Sequence, residues 1–74
     1  MQGMRASGAK EILARNIKLL RGQRGWSQEV LAFEAGLHRT FVAHVERGAR
    51  NISLTNIERI ALALEVSVSR LFEE

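Results

Sequence analysis

Ser27-Gln28-Glu29-Val30-Leu31-Ala32-Phe33-Glu34-Ala35-Gly36-Leu37-His38-Arg39-Thr40-Phe41-Val42-Ala43-His44-Val45-Glu46-Arg47-Gly48 is the stretch that decides the fold. Ser27 can cap a helix, because its hydroxyl accepts a bond from an unpaired N–H of the first turn. Leu31, Ala32 and Ala35 follow at helical spacing and fall on one face. Gly36 suits the left-handed or close-packed backbone that ends such a helix. A second helix then carries Val42 and Val45 inward with Glu46 beside them, and Gly48 closes the unit.

Working outward, residues 1–8 hold two glycines and little apolar content, and read as a frayed lead-in. Ser7 is placed to cap a first helix that runs to about Arg24. Leu13, Ile17 and Leu20 make its apolar stripe, widened by Ile12 and Leu19. Gly22 weakens the end of this helix and Gly25 stops it. Trp26 precedes the Ser27 cap and is set to pack as a staple against Val30 or Leu31. Downstream, Ala49 to Ile52 read as a loop and Ser53 as the cap of a fourth helix. Its Ile57, Ile60, Ala61 and Leu64 fit the helical template. Ser67 is read as the cap of a short fifth helix with Val68, Leu71 and Phe72. The expected fold is all-α, a five-helix bundle with short connections over a single domain, 1–74.

Composition narrows the function. Seventy-four residues lie near the lower limit for an independent core, and the absence of Cys excludes disulfides and thiolate metal sites. A domain so small and unstapled often gains stability by self-association. No apolar run approaches the ~20 residues of a membrane span, and no signal-peptide core is seen at the start. Net charge is +3, unevenly spread. Residues 1–27 carry Arg5, Lys10, Arg15, Lys18, Arg21 and Arg24 against Glu11 alone, whereas residues 53–74 are net acidic. That asymmetry suits a module with one basic face turned to a polyanion.

Two short helices joined by a glycine turn, spanning 27–48, are the helix-turn-helix pattern. The residues resemble a known family at this point. Ser27-Gln28-Glu29-x-Leu31-Ala32-x-x-Ala35-Gly36-Leu37 with Val42-x-x-Val45-Glu46-Arg47-Gly48 is similar to the Cro and phage-repressor class (lambda repressor-like domains). The likeness continues through Leu20-Arg21 upstream and Ile57 to Leu64 downstream, covering roughly residues 10 to 72. Arg47-Gly48-Ala49-Arg50-Asn51-Ile52-Ser53-Leu54 with Asn56 to Ala61 looks most like the controller proteins of restriction–modification operons.

The lack of a membrane span or signal core puts the chain in the cytoplasm. The resemblance implies a sequence-specific regulator of transcription bound to double-stranded DNA, expected as a homodimer that can pair into a tetramer on DNA. It turns His38, Arg39, Thr40 and His44 toward the major groove, with Ala43 beside them. Arg39 leads, since its planar fork can bond guanine O6 and N7 together. Thr40 suits a base or a phosphate, and His44 a base edge or the groove lining. Phosphates fall to Gln28 at a helix start, then to Arg47, Arg50 and Asn51, with Arg24 a weaker candidate. Phe41 packs either beside the sugar-phosphate backbone or within the helices. Arg21 and Glu46 are implied to pair across the first and third helices, a structural role, since a carboxylate near an apolar face is costly alone.

Ile52, Val66, Val68, Leu71 and Phe72 offer more apolar surface than so small a core needs. They are assigned to a two-fold interface through 53–72, setting two recognition helices about 34 Å apart, the alternative being that Leu71 and Phe72 merely complete the monomer's core. Two residues depart from the family pattern. Phe33 stands where a polar residue is usual, so either the helix is rotated or a contact covers it, and Ala43 removes one possible base contact. An enzyme is disfavoured. His38 and His44 share no good chelating face, the serines sit at caps, and no cofactor, metal or small-molecule ligand is expected. The rival reading is a phage-type repressor or antitoxin-like regulator acting partly through a protein partner.

Overall fold

The computed structural model describes residues 8–74, and no strand occurs among them. Four α-helices follow in order: α1 Ala9–Gln23, α2 Gln28–Ala35, α3 Arg39–Glu46 and α4 Leu54–Leu64. The expected fifth helix is a single 3₁₀ turn, Ser69–Phe72. Its short bonds, Arg70 N–H to the Ser67 carbonyl and Leu71 N–H to that of Val68, span three residues rather than four. Four residues cannot repay the nucleation of an α-helix, and a tighter turn serves instead. The Ser67 hydroxyl does accept from the Arg70 N–H at 3.2 Å.

Both interior caps follow the sequence. Ser27 Oγ accepts from Val30 N–H at 3.1 Å, and Ser53 Oγ from Asn56 N–H at 3.2 Å. At the start of α1 the N-cap is Gly8, whose N–H is taken by the Glu11 carboxylate at 3.0 Å. The expected Ser7 cap, with residues 1–6 of the lead-in, lies outside the described residues.

Gly36 ends α2 with φ 70°, which lets Leu37 N–H reach back to the Ala32 carbonyl at 2.8 Å. This left-handed residue turns the chain from α2 into α3. The end of α4 makes the same turn with Glu65 at φ 60°, a conformation that disfavours a side chain.

The core joins Leu13, Ile17 and Leu20 of α1 to Leu31, Ala32 and Ala35 of α2, Val42 and Val45 of α3, and Ile57, Ile60, Ala61 and Leu64 of α4. Ile12 is buried as expected, but Leu19 is 48% exposed and belongs to the outer face of α1. Trp26 packs half-buried at the core edge.

One core position is polar. Asn16 of α1 is buried and gives its amide N–H groups to the carbonyls of Leu71 and Glu73, at 2.9 and 2.8 Å. Those two bonds hold the C-terminal turn against α1, where Leu71 is fully enclosed. Leu71 therefore completes the monomer's core and has nothing left to present to a partner, so of its two readings the core one holds and the dimer assignment is corrected.

Candidate nucleic-acid interface

α3 rests on a polar hub. Arg21 of α1 donates from Nε to Glu46 Oε2 at 2.7 Å and from Nη2 to Glu46 Oε1 at 2.9 Å. Its Nη1 donates to the Trp26 carbonyl at 2.8 Å. One guanidinium thus ties α1 to the entry of α2 and to the end of α3. The Glu46 side chain is only 2% exposed and that of Arg21 18%, so the pair has left most of its water. Hydrogen bonding to Glu46 raises the Arg21 pKa above its ordinary value, burial opposes this, and the Glu46 charge adds to the rise. A planar, two-bond contact of this kind fixes orientation as well as distance.

The outer side of α3 carries the residues expected to meet DNA. His38 is its N-cap, without a side-chain capping bond, and Arg39 is the first helical residue. His38, Arg39 and Thr40 are exposed, while Ala43 and His44 are half-buried farther along the same side. The side chains of Arg39 and Arg47 form no ion pair among the described residues. Arg50 and Asn51 are exposed in the loop that follows.

Phe41 is half-buried, with the Arg50 guanidinium 5.0 Å above its ring. Gly36, His38, Thr40, Phe41, Arg50 and Asn56 line one shallow groove beside the start of α3. Aromatic stacking of this sort holds a cation in place without neutralising it.

Gln28 differs from a freely presented phosphate ligand. Its Nε2 donates to Glu46 Oε1 at 3.0 Å, and the residue is half-buried at the first position of α2. Arg24 lies elsewhere altogether. It stacks 4.5 Å over the Trp26 ring, donates to the Leu64 carbonyl at 3.1 Å and approaches Glu65 at 3.7 Å. Arg24 therefore closes the end of α4, and the weaker phosphate assignment is replaced by a capping role.

Sequence reasoning missed Asn16, whose polarity broke an apolar stripe, and Leu54, which is 66% exposed at the start of α4. Spacing gave no signal for Leu54, which stands three residues before Ile57 and seven before Ala61 and so fits the template of the buried stripe. Ile52 and Phe72 are half-buried and share one groove with Leu13 and Ile57, and Val66 and Val68 are also half-buried. Phe33 is 81% exposed and lines a groove with Leu62, itself 80% exposed. No contact covers it among the described residues. Nor do three His, Cys, Asp or Glu side chains gather there as a metal-binding group, and no helix there is long and apolar enough to cross a membrane.

The helix-turn-helix family profile matches residues 17–71. A hypothetical transcription factor from Neisseria meningitidis is 50% identical over 62 residues, covering 84% of this chain, though the chain spans only 58% of that protein. Control protein C.BamHI from Bacillus amyloliquefaciens is 46% identical over 70 residues, covering 82% of this chain and 86% of its own length. The restriction–modification controller protein C.Esp1396I, solved as a tetramer with its natural 35-base-pair operator, superposes with a TM-score of 0.81 at 35% identity, over 89% of this chain and 87% of the other. With a shared arrangement of helices and this level of identity across most of its length, the chain belongs to the helix-turn-helix family, among the restriction–modification controller proteins.

Proposed function

We propose that the chain is a homodimeric, sequence-specific DNA-binding regulator that controls a restriction–modification operon from a palindromic operator. The observation that carries the reading is the exposed start of α3, where Arg39 and Thr40 project beside His38 on a helix braced from behind by Arg21 and Glu46. Arg39, Thr40, His38 and His44 read base edges, with Ala43 against the groove. Gln28, Arg47, Arg50 and Asn51 hold phosphates, and Phe41 supports Arg50 next to the backbone. Such a division, with anchors on both sides of a short reading helix, is how proteins of this shape obtain register and specificity together.

The dimer uses Ile52, Val66, Val68 and Phe72, joined by the exposed Leu54. The shared groove of Ile52 and Phe72 supports this placement, and the tetrameric assembly of C.Esp1396I supports a further pairing of dimers on DNA. Selection of bound duplexes from a random pool tests the reading. A palindrome, bound with strong salt sensitivity, is the expected result. An absence of duplex binding at low salt, or a monomer at micromolar concentration by sedimentation, defeats it.

A second reading, a regulator that also engages a protein partner, is favoured by the exposed pair Phe33 and Leu62. Retention of DNA binding with loss of regulation in Phe33→Ser is its signature.

A further inference from the structure

The cations among the described residues differ in how they are held. Arg21, Arg24, Arg59 and Arg70 are engaged internally by carboxylates or carbonyls. Arg15, Lys18 and Arg47 are exposed and their side chains have no partner among the described residues. These three line a single groove between α1 and the end of α3, floored by Ala14 and Gly48. Two carboxylates also reach it, but both are engaged: Glu11 accepts the Gly8 N–H, and Glu46 is bound by Arg21. With Glu46 neutralised by Arg21, the described residues leave three cations against the single carboxylate of Glu11, so the groove is net positive.

Its position relative to α3 gives it a ligand. Eight helical residues span about 12 Å, close to the ~12 Å width of the major groove. A helix of that length seated in the groove brings the residues just past its end against the strand that forms the wall. At the C-terminal end of α3 those residues are Arg47 and, across the groove, Arg15 and Lys18.

We infer that Arg15 and Lys18 of α1, together with Arg47, hold the DNA phosphate backbone flanking the site read by α3. The inference rests on the DNA-binding reading above. These contacts carry no sequence information; they lengthen the footprint and set the salt dependence. None of the family's recognition-helix positions is needed for them.

Fluorescence anisotropy on two labelled duplexes, one of selected sequence and one of unrelated sequence, tests this across salt concentrations. The Arg15→Gln/Lys18→Gln variant is expected to lose affinity by the same factor on both. Because each released phosphate contact contributes about 0.9 to the logarithmic salt slope, its loss of affinity between about 50 and 200 mM salt is roughly tenfold smaller than the wild type's. Lys18→Glu weakens binding further than Lys18→Gln. The Arg59→Gln/Arg70→Gln variant removes the same net charge from side chains that do not line the groove and keeps the wild-type slope. The Arg15 and Lys18 variants retain the wild-type melting curve, since neither side chain has a partner among the described residues. A wild-type slope in the Arg15/Lys18 variant, or an equal drop in the Arg59/Arg70 control, overturns the inference while leaving DNA binding intact. A wild-type chain indifferent to both duplexes at low salt overturns the DNA-binding reading, and this contact with it.

Discussion

Gln28 and Glu46 are joined by a 3.0 Å hydrogen bond from Nε2 to Oε1, so the side chain at the start of α2 is held by the carboxylate at the end of α3. The same Oε1 accepts from Arg21. Glu46 thus fixes the mutual position of all three helices of the unit, and it sets which way the Gln28 amide faces. One amide N–H remains for another acceptor, which makes Gln28 an oriented donor rather than a mobile one.

Replacing Glu46 by Ala leaves the half-buried Arg21 without its counter-charge and Gln28 without its anchor. Breaking a buried pair from one side costs about 3–5 kcal/mol. Urea denaturation of Glu46→Ala is expected to show a loss near the lower figure, because the Arg21 side chain keeps 18% of its exposure. A double-mutant cycle with Arg21→Ala should return a clear coupling energy; simple additivity of the two losses would sink the argument.

Arg39→Ala is expected to behave in the opposite way. The residue is exposed at the first position of α3 and supports nothing in the fold, so stability should change by no more than about 0.5 kcal/mol. Discrimination between the selected duplex and one with its guanine replaced should fall by about 1–3 kcal/mol. Competition titrations in which both duplexes are ranked as by the wild type would remove Arg39 from the base-reading set.

Asn16→Ala removes both donors that hold the C-terminal turn. A buried acceptor left unsatisfied costs about 1–3 kcal/mol, and the Leu71 carbonyl is in the buried contact. We expect lower stability with faster amide exchange in the 69–74 segment and quicker carboxypeptidase trimming. Exchange rates unchanged there would show that packing of Leu71 alone secures the turn.

Glu65 and Gly36 occupy the same left-handed conformation with opposite chemistry. Glu65→Gly relieves backbone strain of about 1–2 kcal/mol and forfeits roughly 0.5–1 kcal/mol of chain entropy, for a net gain of about half to one kcal/mol. Gly36→Ala meets only Arg59 Nη1 at 3.8 Å, so its loss of about 1 kcal/mol or more comes from φ and not from a clash. Thermal melts in which the two substitutions shift the midpoint in the same direction would contradict this assignment.

Much of this architecture was legible in one dimension. Ser27, Gly36 and Ser53 mark helix ends because each meets its partner within five residues, so local sequence contains the whole interaction. Helical spacing of Leu31, Val42, Ile57 and Ile60 likewise announced which face of each helix turns inward. The resemblance supplied the register of the candidate site, which spacing by itself does not give.

What only the tertiary structure decided are the interactions between residues far apart in the chain. Asn16 meets Leu71 across 55 positions, and Arg24 meets Leu64 across 40. Neither bond leaves a periodic trace, so nothing in the pattern singles out Asn16, and Arg24 reads as a weaker phosphate candidate. Leu71 and Phe72 look alike as neighbouring apolar residues, yet one is enclosed and the other half-buried. The reason is physical: hydrophobic patterning states that a residue prefers to leave water, while the partner that shelters it is chosen by the crossing of helices and by the hydrogen bonds that pin the last turn to α1.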